Sequence, residues 1–227
     1  MAWEPLWLSL QIATIAMLVS VVVGTALAVL LAWKKLPLPD VFSALVSTPL
    51  VLPPTVLGYY LLVALGPDSV VGRAYHWVFG SDIVFTFTAA VVAATVGSVP
   101  LVVGAVRVGL DAIEPNLVAA ARTLGASPAR VLATVTLPLA APGMIAGAML
   151  AFARALGDYG MTQMIASSKF NGLFGIHDQS PASIYVYDEL INQHDANVRN
   201  MSLATTAVGI VMLVFANRLT RRLAHRG

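Results

Sequence analysis

Long uncharged runs alternate with short polar segments along this chain, and the lengths of the runs predict its elements. A helix that crosses a bilayer needs about 20 apolar residues, because each residue rises about 1.5 Å against a hydrocarbon core of about 30 Å. Leu6 to Trp33 is uncharged for 28 residues and is closed by Lys34 and Lys35. Val41 to Gly66 adds 26, interrupted by Pro49, Pro53 and Pro54. Ile83 to Val106 adds 24 before Arg107, with Pro100 inside, and Val131 to Ala153 adds 23, with Pro138 and Pro142 near its start. Met201 to Ala216 is uncharged for only 16 residues, so Arg199 and Arg218 are expected to snorkel to the two interfaces. The pattern predicts an all-α, polytopic membrane protein with about five transmembrane helices, over 6–33, 41–66, 83–106, 136–160 and 200–218.

Ala26-Leu27-Ala28 resembles the cleavage site of a secretory leader, but a leader carries its positive charge ahead of the apolar run. Here the stub Met1–Pro5 holds Glu4 and no basic residue, and the basic pair follows, so the run is expected to remain as a span. No repeat, low-complexity stretch or linker divides 1–227, which reads as a single transmembrane domain. The largest polar segment is the loop 161–199. Within it Ser180-Pro181 reads as a helix cap followed by proline at the first helical position, predicting a short surface helix over Pro181 to Asn192. Its Ile184, Tyr185, Leu190 and Ile191 are available to pack on the membrane part or on a partner.

Composition agrees with lipid as the main solvent. Of 227 residues 58% are hydrophobic and 11% charged, and the mean hydropathy is +0.82. A soluble domain carries about 25% charged residues. A net charge of +2 gives no footing for a nucleic-acid partner, and the absence of cysteine excludes disulfides and thiol chemistry. The placement of charge is more informative. With the N-terminus outside and the C-terminus cytoplasmic, nine of the 13 basic residues face the cytoplasm: Lys34, Lys35, Arg107, Arg122, Arg130, Arg218, Arg221, Arg222 and Arg226. Arg73, Lys169 and Arg199 fall outside and Arg154 within a span, while Glu4, Asp68, Asp82, Asp178, Asp188, Glu189 and Asp195 lie outside. Basic residues concentrate on the cytoplasmic side of membrane proteins, which selects this orientation.

The cytoplasmic segment 111–135 then reads as two helices around a turn. Pro115 suits a first helical turn, the alanines and leucines behind it propagate a helix, and Gly125 suits the left-handed position past its end. Ser127-Pro128 opens a second helix that continues through Leu137-Pro138. Ala119, Ala120 and Ala121 offer a smooth knob for a groove on a partner, although alanine is also simply the best helix former.

Ala119-Ala120-Ala121, three residues, Gly125, nine residues, Val135, one residue and Leu137-Pro138 is a spacing with a known counterpart. It resembles the cytoplasmic Glu-Ala-Ala, Gly, Ile, Leu-Pro pattern of permeases in binding-protein-dependent ATP-binding-cassette importers. Ala119 stands where that family has Glu, and Val135 where it has Ile. The runs Pro49–Pro54, Ala120–Ala126 and Ala151–Gly160 resemble molybdate and tungstate permeases, and sulfate permeases share much of the last two. The resemblance implies a multi-pass protein of the cell membrane that carries a small oxyanion and pairs with a second copy of itself. Each copy would dock one ATP-binding-cassette ATPase, two per assembly, through Ala119, Ala120, Ala121, Arg122, Gly125, Leu137 and Pro138. It also implies that ATP and Mg are bound by that partner, and that an extracytoplasmic substrate-binding protein delivers the cargo. Sulfate or another anion is the alternative cargo.

Two features are candidates for the translocation path or gate. Arg154 and Asp158 are ionisable at membrane depth, four residues apart, so that on a helix they share a face and pair. Arg154 lies about 24 Å along a helix from Pro138, toward the outer side. It either lends positive potential to an anion's path or merely orients its helix through Asp158. The prolines at 49, 53 and 54 free backbone carbonyls that must face protein or water, with Thr48 and Thr55 supplying hydroxyls beside Pro53 and Pro54. They are equally compatible with a plain kink.

No catalytic constellation is visible. His76, His177, His194 and His225 fall in loops or the tail, and no phosphate-binding Gly-x-x-x-x-Gly-Lys-Ser/Thr loop occurs. A stand-alone secondary transporter is the rival class. It needs intramembrane ionisable residues for coupling, and only Arg154 and Asp158 qualify.

Overall fold

Proline, glycine and hydroxyl caps decide where the helices of this protein begin and end. The computed structural model describes residues 3–32, 38–166, 170–172 and 178–224, without the side chains of 216, 217 and 219–224. Lys34, Lys35, Lys169, His177, His225 and Arg226 lie outside the described residues, as do the side chains of Arg221 and Arg222. The helices are α1 (Glu4–Ala32), α2 (Pro39–Val51), α3 (Pro54–Leu65), α4 (Val70–Phe79), α5 (Phe87–Asp111), α6 (Pro115–Thr123) and α7 (Pro128–Val131). A π-helical turn at Leu132–Thr136 leads into α8 (Leu137–Leu156), followed by α9 (Gly160–Ile165), α10 (Ala182–Ile191) and α11 (Asp195–Ala224). Among the described residues no strand forms beyond one antiparallel bridge, Phe170 to Gln179.

Four stretches are each long and apolar enough to cross a membrane: Glu4–Ala32, Phe87–Asp111, Pro128–Leu156 and Asp195–Phe215. The second apolar run, expected as one span over 41–66, is instead broken into α2 and α3, which meet at 111°. Neither Pro53 nor Pro54 has an N–H to donate, so the carbonyls of Pro49 and Leu50 lose their helical partners and the ladder stops. The third run starts at Phe87, not Ile83, because Thr86 caps it by accepting the Ala89 N–H at 3.3 Å. It runs on to Asp111, past Arg107, whose guanidinium donates to Ser43 of α2 at 3.0 Å. A charge that ends an apolar run need not end its helix. The same is true of α11, which contains both Arg199 and Arg218.

The bundle centres on α1, α5 and α8. Between lipid-facing helices there is little hydrophobic drive, so close backbone approach and van der Waals contact hold them. Alanine accordingly fills the interior: Ala13, Ala16, Ala28, Ala89, Ala90, Ala93, Ala140 and Ala151 are fully buried. Gly143 and Gly147, four apart on α8, let it sit against α5. A Cβ at Gly143 would lie 2.7 Å from the Ala105 carbonyl oxygen, and one at Gly147 would lie 3.0 Å from Val102 Cα. The Ser98 hydroxyl adds a bond to the Ala151 carbonyl at 3.3 Å across the same seam.

We expect Gly143→Ala to lose about 1–3 kcal/mol, the usual cost of overpacking, because the obstructing atoms are backbone. Gly104→Ala on α5, where a Cβ meets nothing within 4 Å, should be neutral or gain a little helix propensity. Thermal unfolding of the two purified variants separates these outcomes.

The short helix in the outer loop forms over Ala182–Ile191, but Ser180 does not cap it. Pro181 occupies the cap position without a side-chain bond, and the Ala182 N–H is taken by Ser9 of α1 at 2.8 Å. This helix is less superficial than expected. Ala182 and Ile184 are buried, Tyr185 packs beside Leu6 and Met201, and Tyr187, Leu190 and Ile191 stay exposed.

Candidate functional site

The expected coupling residues gather at one end of the bundle. Pro115 opens α6, and Gly125, at φ +81°, closes it with a paired turn: Ala126 N–H donates to Ala121 O at 3.2 Å and Gly125 N–H to Arg122 O at 3.0 Å. These are the two bonds of a Schellman closure, which needs a left-handed residue at this position. Ser127 then accepts the Arg130 N–H at 3.4 Å and starts α7. No residue of α6 is buried. Ala119 and Ala120 are exposed and Ala121 half-buried, flanked by Leu117 and by Leu124 at 89% exposure. Val118 and Arg122, on another face, line a hollow with Ala32 of α1 and Leu110 of α5.

Leu137 and Pro138 sit where this segment enters the bundle. Pro138 has no N–H for the Thr134 carbonyl and its ring crowds that oxygen. The preceding turn is widened, with Leu137 N–H reaching back five residues to Leu132 O. Such π turns concentrate at functional sites. The motif's Leu-Pro thus coincides with a backbone irregularity where the segment enters the bundle.

All the expected path residues but Thr48 gather around the far end of α8, about 25 Å away along its axis. Asp158 was expected on the same helix as Arg154, but α8 stops at Leu156 and Asp158 lies in the turn before α9. The pair forms nevertheless, Arg154 Nη1 donating to Asp158 Oδ1 at 2.9 Å. Oδ2 accepts both the backbone N–H of Thr162 at 3.1 Å and its hydroxyl at 2.9 Å. The Asp158 carbonyl accepts Ser183 Oγ of α10 at 2.8 Å. The Asp158 side chain is 2% exposed and that of Arg154 27%. One carboxylate therefore starts α9 and anchors the guanidinium, while its main chain holds α10.

The bend between α2 and α3 adjoins this turn. Pro54 and Thr55 face Gly160, where a Cβ would lie 2.9 Å from Pro54 Cβ and 3.4 Å from the Thr55 nitrogen. Gly58 lies equally close to Met161 and Met164, so α3 and α9 run side by side. Pro53, Pro54, Thr55 and Asp158 are thus brought together. Thr48 is not: it lies on α2, before the bend, and its hydroxyl donates to Ala44 O at 2.9 Å. Thr162 and Ser183 are the site residues that sequence reasoning missed. Asp158 ahead of a glycine-opened helix was a readable capping signal for the first of them; no local signal pointed to Ser183.

Of the histidines, His76 pairs with Asp82 at 3.1 Å and His194 with Glu189 at 3.0 Å, both exposed. Among the described residues no cluster of three or more metal-ligating side chains occurs.

Membrane-crossing helices, an exposed sharply turned helix pair at one end and a proline-broken helix at the other describe a polytopic membrane protein, and the family it matches makes it a membrane transport subunit. The chain matches the family of binding-protein-dependent transport system inner membrane components over residues 8–226, and it belongs to that family. It is a multi-pass protein of the plasma membrane. It is 37% identical over 227 residues to the molybdenum transport system permease protein ModB of Escherichia coli K12, covering 99% of this chain and 97% of that one. Identity to the Haemophilus influenzae ModB is 36% over 220 residues, covering 96% and 93%. The fold is similar to an inward-facing MetNI methionine ABC transporter chain, with a TM-score of 0.74, 19% identity and 96% and 94% of the chains covered. A bacterial alginate ABC transporter chain gives a TM-score of 0.68 at 14% identity, covering 97% and 78%.

Proposed function

We propose that this chain is the membrane-spanning subunit of an ATP-driven molybdate importer. The observation that carries this reading is the 37% identity, over nearly the whole of both chains, to a molybdenum transport permease. Two copies form the path between them. Each docks an ATPase subunit through 115–138, and that partner binds ATP and Mg. An external binding protein delivers the oxyanion to the side of the α2–α3 bend, with the N-terminus on that side and α6 in the cytoplasm. The exposure of Leu117, Ala120 and Leu124 supports docking at α6, and the proline break with its freed carbonyls supports a path at the bend.

Arg154 is proposed to hold the turn at Asp158 rather than to attract the anion, since its guanidinium already faces a buried carboxylate at 2.9 Å. Proteoliposomes holding this chain, its ATPase and its binding protein should take up labelled molybdate only with ATP and with loaded binding protein. Tungstate should compete, and sulfate should compete at least tenfold less well. Sulfate uptake without molybdate uptake would overturn the assignment of cargo.

A further inference from the structure

At the end of the bundle that carries the α2–α3 bend, a recess of about 330 Å³ opens between the end of α8, the start of α10 and the first half of α11. Gly157, Ser183, Val186, Ser202, Thr205 and Thr206 lie on its wall. Ser183 is tied to the Asp158 carbonyl at 2.8 Å, so the recess shares a wall with the turn beside that bend.

Four hydroxyls line this space, and two are already committed. Ser183 donates to Asp158 O, and Thr205 donates to Met201 O at 2.9 Å. Ser202 and Thr206 make no hydrogen bond among the described residues. Thr48, Thr95 and Thr134 show the usual alternative, a bond to the carbonyl four residues back. Ser202 is half-buried and Thr206 exposed, so neither is sealed away. They stand on a helix apolar enough to cross a membrane, where a hydroxyl without a partner is costly unless something polar stands before it. Arg199 shares their face of α11, three residues before Ser202 and seven before Thr206, or about 10 Å from the latter along the axis. It is exposed, and no carboxylate lies within ion-pair reach of it among the described residues. The recess has no carboxylate on its wall. The nearby carboxylate of Asp158 is 2% exposed and already engaged by Arg154 and Thr162.

A cation at the rim, free hydroxyl donors below it and no competing carboxylate suit an anion, and they suit neither a cation nor a lipid tail. We propose that this recess is a transit site for a tetrahedral oxyanion, which Arg199 attracts and the hydroxyls of Ser202 and Thr206 bind. A water takes about 30 Å³ of liquid, so the recess admits the ion with part of its hydration shell. Neutral donors suit a transit site, because a site on a path must also let its ion leave. This rests on the reading of the chain as an oxyanion importer and deepens it, by placing a stop for the cargo on this chain ahead of the bend.

The chain holds no cysteine, so a single introduced thiol reports on the recess. Val186→Cys places it on the wall without removing a donor. In nanodiscs holding this chain with its ATPase, a small anionic thiol reagent should modify that variant. Molybdate should slow the modification where sodium chloride of equal ionic strength does not. Ser202→Ala together with Thr206→Val should weaken this protection about tenfold or more, the worth of a hydrogen bond to a charged group. Arg199→Gln should weaken it less, while Thr206→Ser and Thr205→Val should keep it. An unchanged rate of modification without oxyanion shows that the recess is intact in each variant. A thiol that does not react means that the recess is dry or covered by a second copy, and overturns the proposal. So does protection by none of molybdate, tungstate and sulfate, equal protection by chloride, or protection that survives the double variant. Protection by sulfate alone keeps the site and overturns the molybdate reading instead.

Discussion

Replacing Asp158 with alanine is expected to cost the protein about 3–5 kcal/mol, out of a typical total of about 5–15 kcal/mol. The size follows from what the carboxylate serves. It receives the Arg154 guanidinium at 2.9 Å and both donors of Thr162 at 2.9 and 3.1 Å, with its side chain only 2% exposed. Alanine strands a guanidinium and two neutral donors at once where little water is available to replace the carboxylate. The damage falls on the junction of α8, α9 and α10. Asp158→Asn keeps an acceptor for Thr162 and should lie between the two. Arg154→Ala should cost less than Asp158→Ala, because the carboxylate retains two bonds. The double variant should recover part of the Asp158→Ala loss, since no charge is left unpaired. Thermal unfolding in detergent measures all four, and an Asp158→Ala protein as stable as the parent would remove the anchoring role. Uptake assays on Arg154→Ala then isolate any effect on the anion: a rate that falls steeply while the fold holds would restore Arg154 to the path.

Gly125→Trp is expected to leave the chain folded and inserted while its ATPase no longer co-purifies. At φ +81° any L-residue costs about 1–2 kcal/mol, and that strain bears on the Schellman bonds from Gly125 and Ala126. Because α6 buries no residue, its loosening takes little from the bundle. The indole would moreover project from an exposed turn directly beside Leu124. A tenfold or greater drop in retained ATPase corresponds to about 1.4 kcal/mol of docking energy, well within reach of such a bulk. Gly125→Ala, with the strain but not the bulk, should lose less. An intact complex in the tryptophan variant would refute docking through this turn.

Membrane insertion and the helix-turn-helix at Pro115–Val131 were legible in sequence because each depends on local signals: run length, charge, proline and glycine. The bend at Leu52-Pro53 was only half legible. Paired prolines announce lost hydrogen bonds, yet whether the chain kinks slightly or turns through 111° is set by what α3 packs on, and Gly58 and Gly160 on α9 decide that. The π turn was hidden for a similar reason, since Pro138 also fits an ordinary first helical turn. Tertiary partners were the least visible. Nothing near Ala182 in sequence announces that Ser9 will accept its N–H, and nothing near Gly143 announces Ala105.

The hollow beside Arg122 also settles a matter of counting. Ala32, at the finish of α1, and Leu110, next to the finish of α5, line the same small space. Two helices that finish at one end must both have begun at the other, so the chain has to climb back between them. Only the stretch containing α2, α3 and α4 is available for the ascent. The broken pair therefore counts as one full traverse, although neither half, at about 20 Å and about 18 Å, spans a bilayer alone. At the opposite end Leu6 packs with Met201, so α11 sets out from where α1 does. Among the described residues the number of traverses is then odd, and a reporter fused to each terminus is expected to report from opposite compartments.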